Sequence, residues 1–187
     1  TGGKVKDVYG GFVTGNGTGK AINNTVNIGD GTDALTEGYA IDGTLCGGNK
    51  DTDITGNVLN VKTNATAKNI KNFESVNFYL NASRKPGDPL LTLNGGGSTT
   101  INWATLGTFG DKPNINEELE LVKNESGITL TNYTDTLYKG TADTHAHEYV
   151  VYTDTGNDTG VKSILYGTYQ FKGAERTMPP APRNKNI

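Results

Sequence analysis

Short runs of alternating apolar and polar residues recur along this chain from end to end. From Phe73 to Leu80, the side chains of Val76, Phe78 and Leu80 fall on one face of an extended strand, and Asn77 and Tyr79 on the other. Leu91 and Leu93 alternate with Thr92, Leu119 and Leu121 with Glu120, and Ile128 and Leu130 with Thr129. The pattern predicts strands centred near residues 9, 27, 46, 59, 78, 92, 102 and 120. Most centres lie roughly 14–19 residues apart, enough for one short strand plus turns, about one coil of a β-helix. A meandering sandwich produces similar alternation at closer spacing, about 8–12 residues. The spacing favours a solenoid.

An internal repeat points the same way. Val8-Tyr9-Gly10-Gly11 reappears as Leu45-Cys46-Gly47-Gly48, and each is followed by a Gly/Asp/Thr loop. An Asn-x-apolar-Asn-apolar strand then comes in both units, Asn24-Thr25-Val26-Asn27-Ile28 and Asn57-Val58-Leu59-Asn60-Val61. Strands that keep their pattern while loops change length are the mark of stacked repeats. In such a stack Val26/Ile28 and Leu59/Val61 form a narrow core. Asn24 with Asn57, or Asn27 with Asn60, would form amide ladders, and the Gly-Gly pairs would supply corners at positive φ.

Composition sharpens this. Gly, Thr, Asn and Asp make up 86 of 187 residues, all indifferent or poor helix formers, which excludes a bundle or a doubly wound α/β enzyme. The formal net charge of −3 excludes a basic nucleic-acid binder. One cysteine, Cys46, rules out a disulfide framework and a cysteine-cluster zinc site; it reads as a small buried hydrophobe. Glycine and asparagine concentrate in residues 1–110, assigned to β-helix coils, whereas residues 111–177 are richer in Glu and read as a hairpin-rich cap continuous with the stack. Residues 178–187 read as a tail or linker. The chain starts and stops without the usual terminal signals and is expected to be a segment of something longer.

The Val-Tyr-Gly-Gly…Asn-Asn-Thr-Val-Asn-Ile unit resembles the repeats of Gram-negative autotransporter (type V secreted) passenger domains. The run Ala67-Lys68-Asn69-Ile70-Lys71-Asn72-Phe73-Glu74-Ser75-Val76-Asn77-Phe78-Tyr79-Leu80 looks like the segment that closes such arrays, and Leu91-Thr92-Leu93 like the strand that follows. Gly110-Asp111-Lys112 and Leu119-Glu120-Leu121-Val122 are similar to the usual continuation. The match covers residues 5–135 and is made of degenerate patterns. It implies a right-handed parallel β-helix carried to the bacterial surface by a downstream outer-membrane barrel that this chain does not include. The second unit departs from the first in having Leu-Cys for Val-Tyr, and the Gly-x-Ser-x-Gly motif of protease passengers is absent from the sequence.

Candidate chemistry is sparse. Ile28-Gly29-Asp30-Gly31-Thr32-Asp33-Ala34-Leu35 approaches the calcium nonapeptide, with Ile28 where the first Gly belongs. One copy supplies part of a shell, so a polar turn is the first reading and calcium through Asp30 and Asp33 the second. Asp143, His145 and His147 have metal-like spacing if extended, in a Thr/Asp-rich stretch that reads as an exposed loop. Arg84, Arg176 and Arg183 sit in turn- or tail-like contexts, and Asp51-Thr52-Asp53 reads as a loop, leaving no carboxylate cluster with a basic partner. Tyr9, Tyr39, Tyr79 and Trp103, together with Tyr133 and Tyr138, are candidates for a surface that stacks on glycans or another chain. The expectation is a non-catalytic, cofactor-free adhesin segment at the bacterial surface, its partner a host glycan, a host protein or a sister cell. A β-helical polysaccharide-degrading enzyme and a calcium-stabilised structural repeat are the alternatives.

Overall fold

The computed structural model describes residues 5–15, 18–30, 38–109, 119–133, 136–139, 145–154 and 161–171. Throughout them the regular structure is β, and no helix occurs among the described residues. Nine short strands come first: β1 (Val8–Tyr9), β2 (Thr25–Ile28), β3 (Tyr39–Ala40), β4 (Thr44–Cys46), β5 (Val58–Val61), β6 (Ala65–Ala67), β7 (Asn69–Lys71), β8 (Ser75–Leu80) and β9 (Leu91–Leu93). Six more follow: β10 (Thr99–Thr108), β11 (Leu119–Asn124), β12 (Ile128–Tyr133), β13 (Thr136–Lys139), β14 (His145–Asp154) and β15 (Val161–Phe171).

Through β9 the chain visits three sheets in turn, and β10, β11 and β12 then alternate between the last two of them. β1, β4 and β7 form a three-stranded sheet, β2, β5, β8, β10 and β12 a five-stranded one, and β3, β6, β9 and β11 part of a seven-stranded one. Every pairing within these sets is parallel. Each trio of strands up to β9 therefore lies on the trio before it. The seven-stranded sheet changes character at β11, which pairs antiparallel with β15; β14 and β13 then extend that edge, also antiparallel.

Register explains the core. Val26 stacks on Leu59, Leu59 on Val76 and Val76 on Ala104, while Ile28, Val61, Phe78 and Leu106 form a second column. Ala65, Leu91 and Val122 line up from the seven-stranded sheet, and Val8, Leu45 and Ile70 from the three-stranded one. With the partly covered Val8 at its edge, this makes one continuous apolar cluster. Because side chains alternate across a strand, the residues between the two columns of the five-stranded sheet, Asn27, Asn60, Asn77 and Thr105, point outward. Full burial of each Leu or Val is worth about 1.5–3 kcal/mol, so a thin core adds up through repetition.

All eight strand centres read from the sequence fall within strands. Their meaning needs one correction: the 14–19-residue interval matches a full layer only between β5 and β8, and the other layers of that sheet are longer. Paired strands are separated by 33 residues from Thr25 to Val58 and by 17 from Val58 to Ser75. The sequence pattern had skipped β3, β6 and β7, whose two or three residues carry too little apolar character to announce themselves.

The glycine pairs also act differently from expectation. None of Gly10, Gly11, Gly47 and Gly48 is at positive φ. They are small because neighbouring layers approach closely. A Cβ on Gly47 would lie 2.2 Å from the Asn72 carbonyl oxygen and 2.6 Å from Asn57 Cβ, and one on Gly11 2.5 Å from Asn24 Nδ2. The left-handed corner falls instead on Asn23 (φ 58°) and, one layer on, Gly56 (φ 67°).

Candidate functional site

Outward positions of the five-stranded sheet make a regular grid. The central column is Asn27, Asn60, Asn77 and Thr105, in register on four successive strands. Asn60 Nδ2 donates to Asn27 Oδ1 at 2.8 Å, Asn77 Nδ2 to Asn60 Oδ1 at 2.8 Å, and Thr105 Oγ1 to Asn77 Oδ1. Asn60 and Asn77 each donate in one direction and accept from the other, so the bonds polarise one another and fix the side chains.

Beside this ladder stand Trp103 and Tyr79, two of the residues picked from the sequence. Trp103 is two positions before Thr105 on β10 and 42 % exposed. Tyr79 follows Asn77 by two on β8 and is half-buried. Its ring lies against Gly107, where a Cβ would come within 2.8 Å of it, and the Lys62 ammonium stands 5.5 Å from its centroid. The indole is thus the more exposed of the two rings, while the phenol is wedged between neighbouring layers.

A second asparagine column is internal. Asn57 is fully buried at the corner between the three- and five-stranded sheets. Its Oδ1 accepts from the Asn24 backbone N–H at 2.9 Å and from Asn24 Nδ2 at 3.0 Å. Its Nδ2 donates to the carbonyls of Asp53 (2.6 Å), Ala21 (3.0 Å) and Asn72 (3.2 Å). Asn72 in turn donates to the carbonyls of Gly48 and Lys50. Both ladders suggested by the repeat therefore exist, one outside and one inside. A third joins Asn124 Nδ2 to Thr99 Oγ1 (3.0 Å), and Thr99 Oγ1 to Asn69 Oδ1; nothing in the spacing of those residues announced it.

The other two aromatic candidates lie elsewhere. Tyr9 is on β1 in the three-stranded sheet, 42 % exposed, with the Phe12 ring edge-on at 5.2 Å. Tyr39 is on β3 at the rim of a concavity of about 930 Å³ that Val5, Val8, Val26, Ile28 and Ile41 also line. The four residues do not form one surface; only Tyr79 and Trp103 share a face. Tyr133 closes β12 and Tyr138 is on β13, opposite His147.

Of the metal candidates, Asp30 is exposed two residues after the end of β2, whereas Asp33 and Asp143 lie outside the described residues. His145 and His147 are on β14, not in a loop, paired with Phe171 and Tyr169 of β15. Among the described residues no three His, Cys, Asp or Glu groups are placed to hold a metal ion.

Cys46 is a buried free thiol. Burial first, then Asp7, push its pKa up, with Lys71 opposing and Asp51 adding. Asp51 is exposed, but Asp53 is completely buried: Oδ2 accepts from the Ala21 N–H at 2.9 Å and Oδ1 has no partner. Arg84 is buried in the 81–90 loop, where one Nη1 donates to Asn64 Oδ1 and Nε is unpaired. Burial lowers the Arg84 pKa and Asp88 partly offsets this. Asn64 also donates to Asp88 Oδ1 at 2.8 Å, so Arg84 and Asp88 meet on one amide that pins the loop.

Comparison with protein-family models, with characterised proteins and with solved structures finds no match to this chain.

Proposed function

We propose that this chain is a non-catalytic segment of a Gram-negative autotransporter passenger, a right-handed parallel β-helix displayed at the bacterial surface, where it adheres to host cells, host glycans or sister cells. The observation that carries the reading is the cyclic order in which β1–β9 visit three sheets through parallel pairings, with asparagines in register from layer to layer. A crossover between parallel strands of one sheet is right-handed in about 98% of cases, which supplies the hand. Such a stack is a spacer by construction, rigid along its axis and able to vary loops and outward positions without touching its core. The repeat unit Val8-Tyr9-Gly10-Gly11…Asn24-Thr25-Val26-Asn27-Ile28 supports the family.

Adhesion is tested directly. Beads coated with the chain should bind epithelial cells, or bacteria displaying the same chain, above beads coated with an unrelated β-protein. Equal binding by both bead types defeats the adhesive reading. Depolymerisation of any member of a polysaccharide panel, abolished by a single substitution, would replace it with the enzymatic one.

A further inference from the structure

We infer that the outer face of the five-stranded sheet is a binding strip for an uncharged, extended oligosaccharide, with the Trp103 indole as its platform and Thr105 as its first polar contact. The inference rests on the adhesive reading and specifies its face and ligand class.

Across β2, β5, β8 and β10 three parallel columns define the strip, and Asn132 of β12 lies in register beside Trp103. Thr25, Val58, Ser75 and Trp103 form the first, the amide ladder ending at Thr105 the second, and Gly29, Lys62, Tyr79 and Gly107 the third. These twelve positions hold no carboxylate and one cation, Lys62, whose ammonium stands over Tyr79. A polyanion needs several cations to neutralise it, and a cationic partner needs carboxylates. Neither finds them here. An apolar protein partner would need a contiguous aliphatic or aromatic patch; the aliphatic content of the strip is Val58.

What the strip does offer is an exposed aromatic plate beside fixed amides and hydroxyls. A sugar ring carries both complements: an apolar C–H face for the indole and hydroxyls that donate and accept. The ladder also has direction. Thr105 spends its proton on Asn77, leaving its oxygen as an acceptor at the end of a polarised chain of four groups. Thr105 lies about 6.6–7 Å along the strand from Trp103, on the same face. A ring stacked on the indole can direct a hydroxyl proton to Thr105 Oγ1, and the next residue of an extended chain runs over Asn77 and Asn60. Because the ladder already immobilises these side chains, little ordering remains to be done on binding.

Trp103 is the one tryptophan in the sequence, so its emission reads this face alone. The chain is titrated with linear neutral oligosaccharides (gluco-, manno- and N-acetylglucosamine series) and with sialylated and uronic-acid oligomers. Expected is a saturable change in Trp103 emission with at least one neutral series, matched by calorimetry. Trp103→Ala should weaken binding by calorimetry at least tenfold and Trp103→Phe by much less, with Thr105→Val in between. Phe12→Ala and Tyr39→Ala, on other faces, should bind as the parent does, and circular dichroism melts check that each variant is folded. The inference is overturned by absence of binding to every neutral series or by preference for the charged oligomers. Retention of affinity in folded Trp103→Ala, or an emission change that follows protein concentration instead of sugar, overturns it too. Bead adhesion unchanged in Trp103→Ala sinks this placement and leaves the adhesive reading standing; no adhesion by the parent chain sinks the adhesive reading itself.

Discussion

At the scale of single residues, the buried groups give the sharpest expectations. Cys46 has a raised pKa because burial and the nearby Asp7 disfavour its thiolate. The folded protein therefore holds the thiol proton more tightly than the unfolded chain does. The resulting stability is fully present below the ordinary thiol pKa of 9.0 and is lost as pH rises through the folded value. Urea midpoints from pH 7 to 10.5 should fall more steeply above pH 9 for the parent than for Cys46→Ala; parallel curves would refute this. Asp53 makes a different test, since one carboxylate oxygen holds the Ala21 N–H and the other has no partner. Asp53→Asn keeps the acceptor oxygen in a side chain of the same shape, so it should leave stability close to that of the parent. Asp53→Ala leaves an N–H unsatisfied and should cost about 1–3 kcal/mol. A larger loss in Asp53→Asn than in Asp53→Ala would show that the bare oxygen has an acceptor role after all. The sequence marked Cys46 as a small buried hydrophobe and placed Asp53 in a loop. It gave no sign of Asp53's burial, because Asp-Thr-Asp reads as solvent-facing until Ala21, 32 residues away, closes over it.

At the scale of elements, the ladders convert strand register into bonded geometry. Asn60 both donates and accepts in the outer column, whereas Asn27 at its end only accepts. Each such bond contributes about 0.5–1.5 kcal/mol net, so Asn60→Ala should cost about twice what Asn27→Ala does in a denaturant titration. Equal losses would mean the column is decorative. Gly47→Ala should be far worse than either, because its Cβ would fall 2.2 Å from the Asn72 carbonyl, a backbone atom that cannot swing away; insoluble or molten protein is the expected outcome, and a native-like melt would contradict the packing. The repeat made Asn24/Asn57 and Asn27/Asn60 visible because both units keep their offsets. It assigned the wrong reason to the glycines, since close approach and positive φ leave the same residue in the sequence. Nor was it legible that Tyr79 and Trp103 share a face and that Tyr9 and Tyr39 do not. That depends on which sheet each strand joins, and layer lengths that vary from 17 to 37 residues hide it.

At the scale of the molecule, the question is whether stacked layers unfold together. A stack in which each layer touches only its neighbours can fray from one end. Two features oppose that here. The core is a single cluster from Val26 to Ile128, and two asparagine columns tie successive layers through side chains as well as backbone. Trp103, on β10, is two strands along the sheet from Leu59 on β5. Leu59 is wholly buried, and Leu59→Ala should cost about 2–5 kcal/mol. If the layers are coupled, that loss appears in full at Trp103: emission and far-ultraviolet circular dichroism should trace coincident transitions in the parent, and the substitution should lower both midpoints equally. If they are not, the dichroism of Leu59→Ala will show an early phase in which tryptophan emission stays native. Coincidence is expected, because melting β5 breaks both Asn60 bonds and strips the Leu59 face from Val76, leaving β8 without the partner that holds its register against β10.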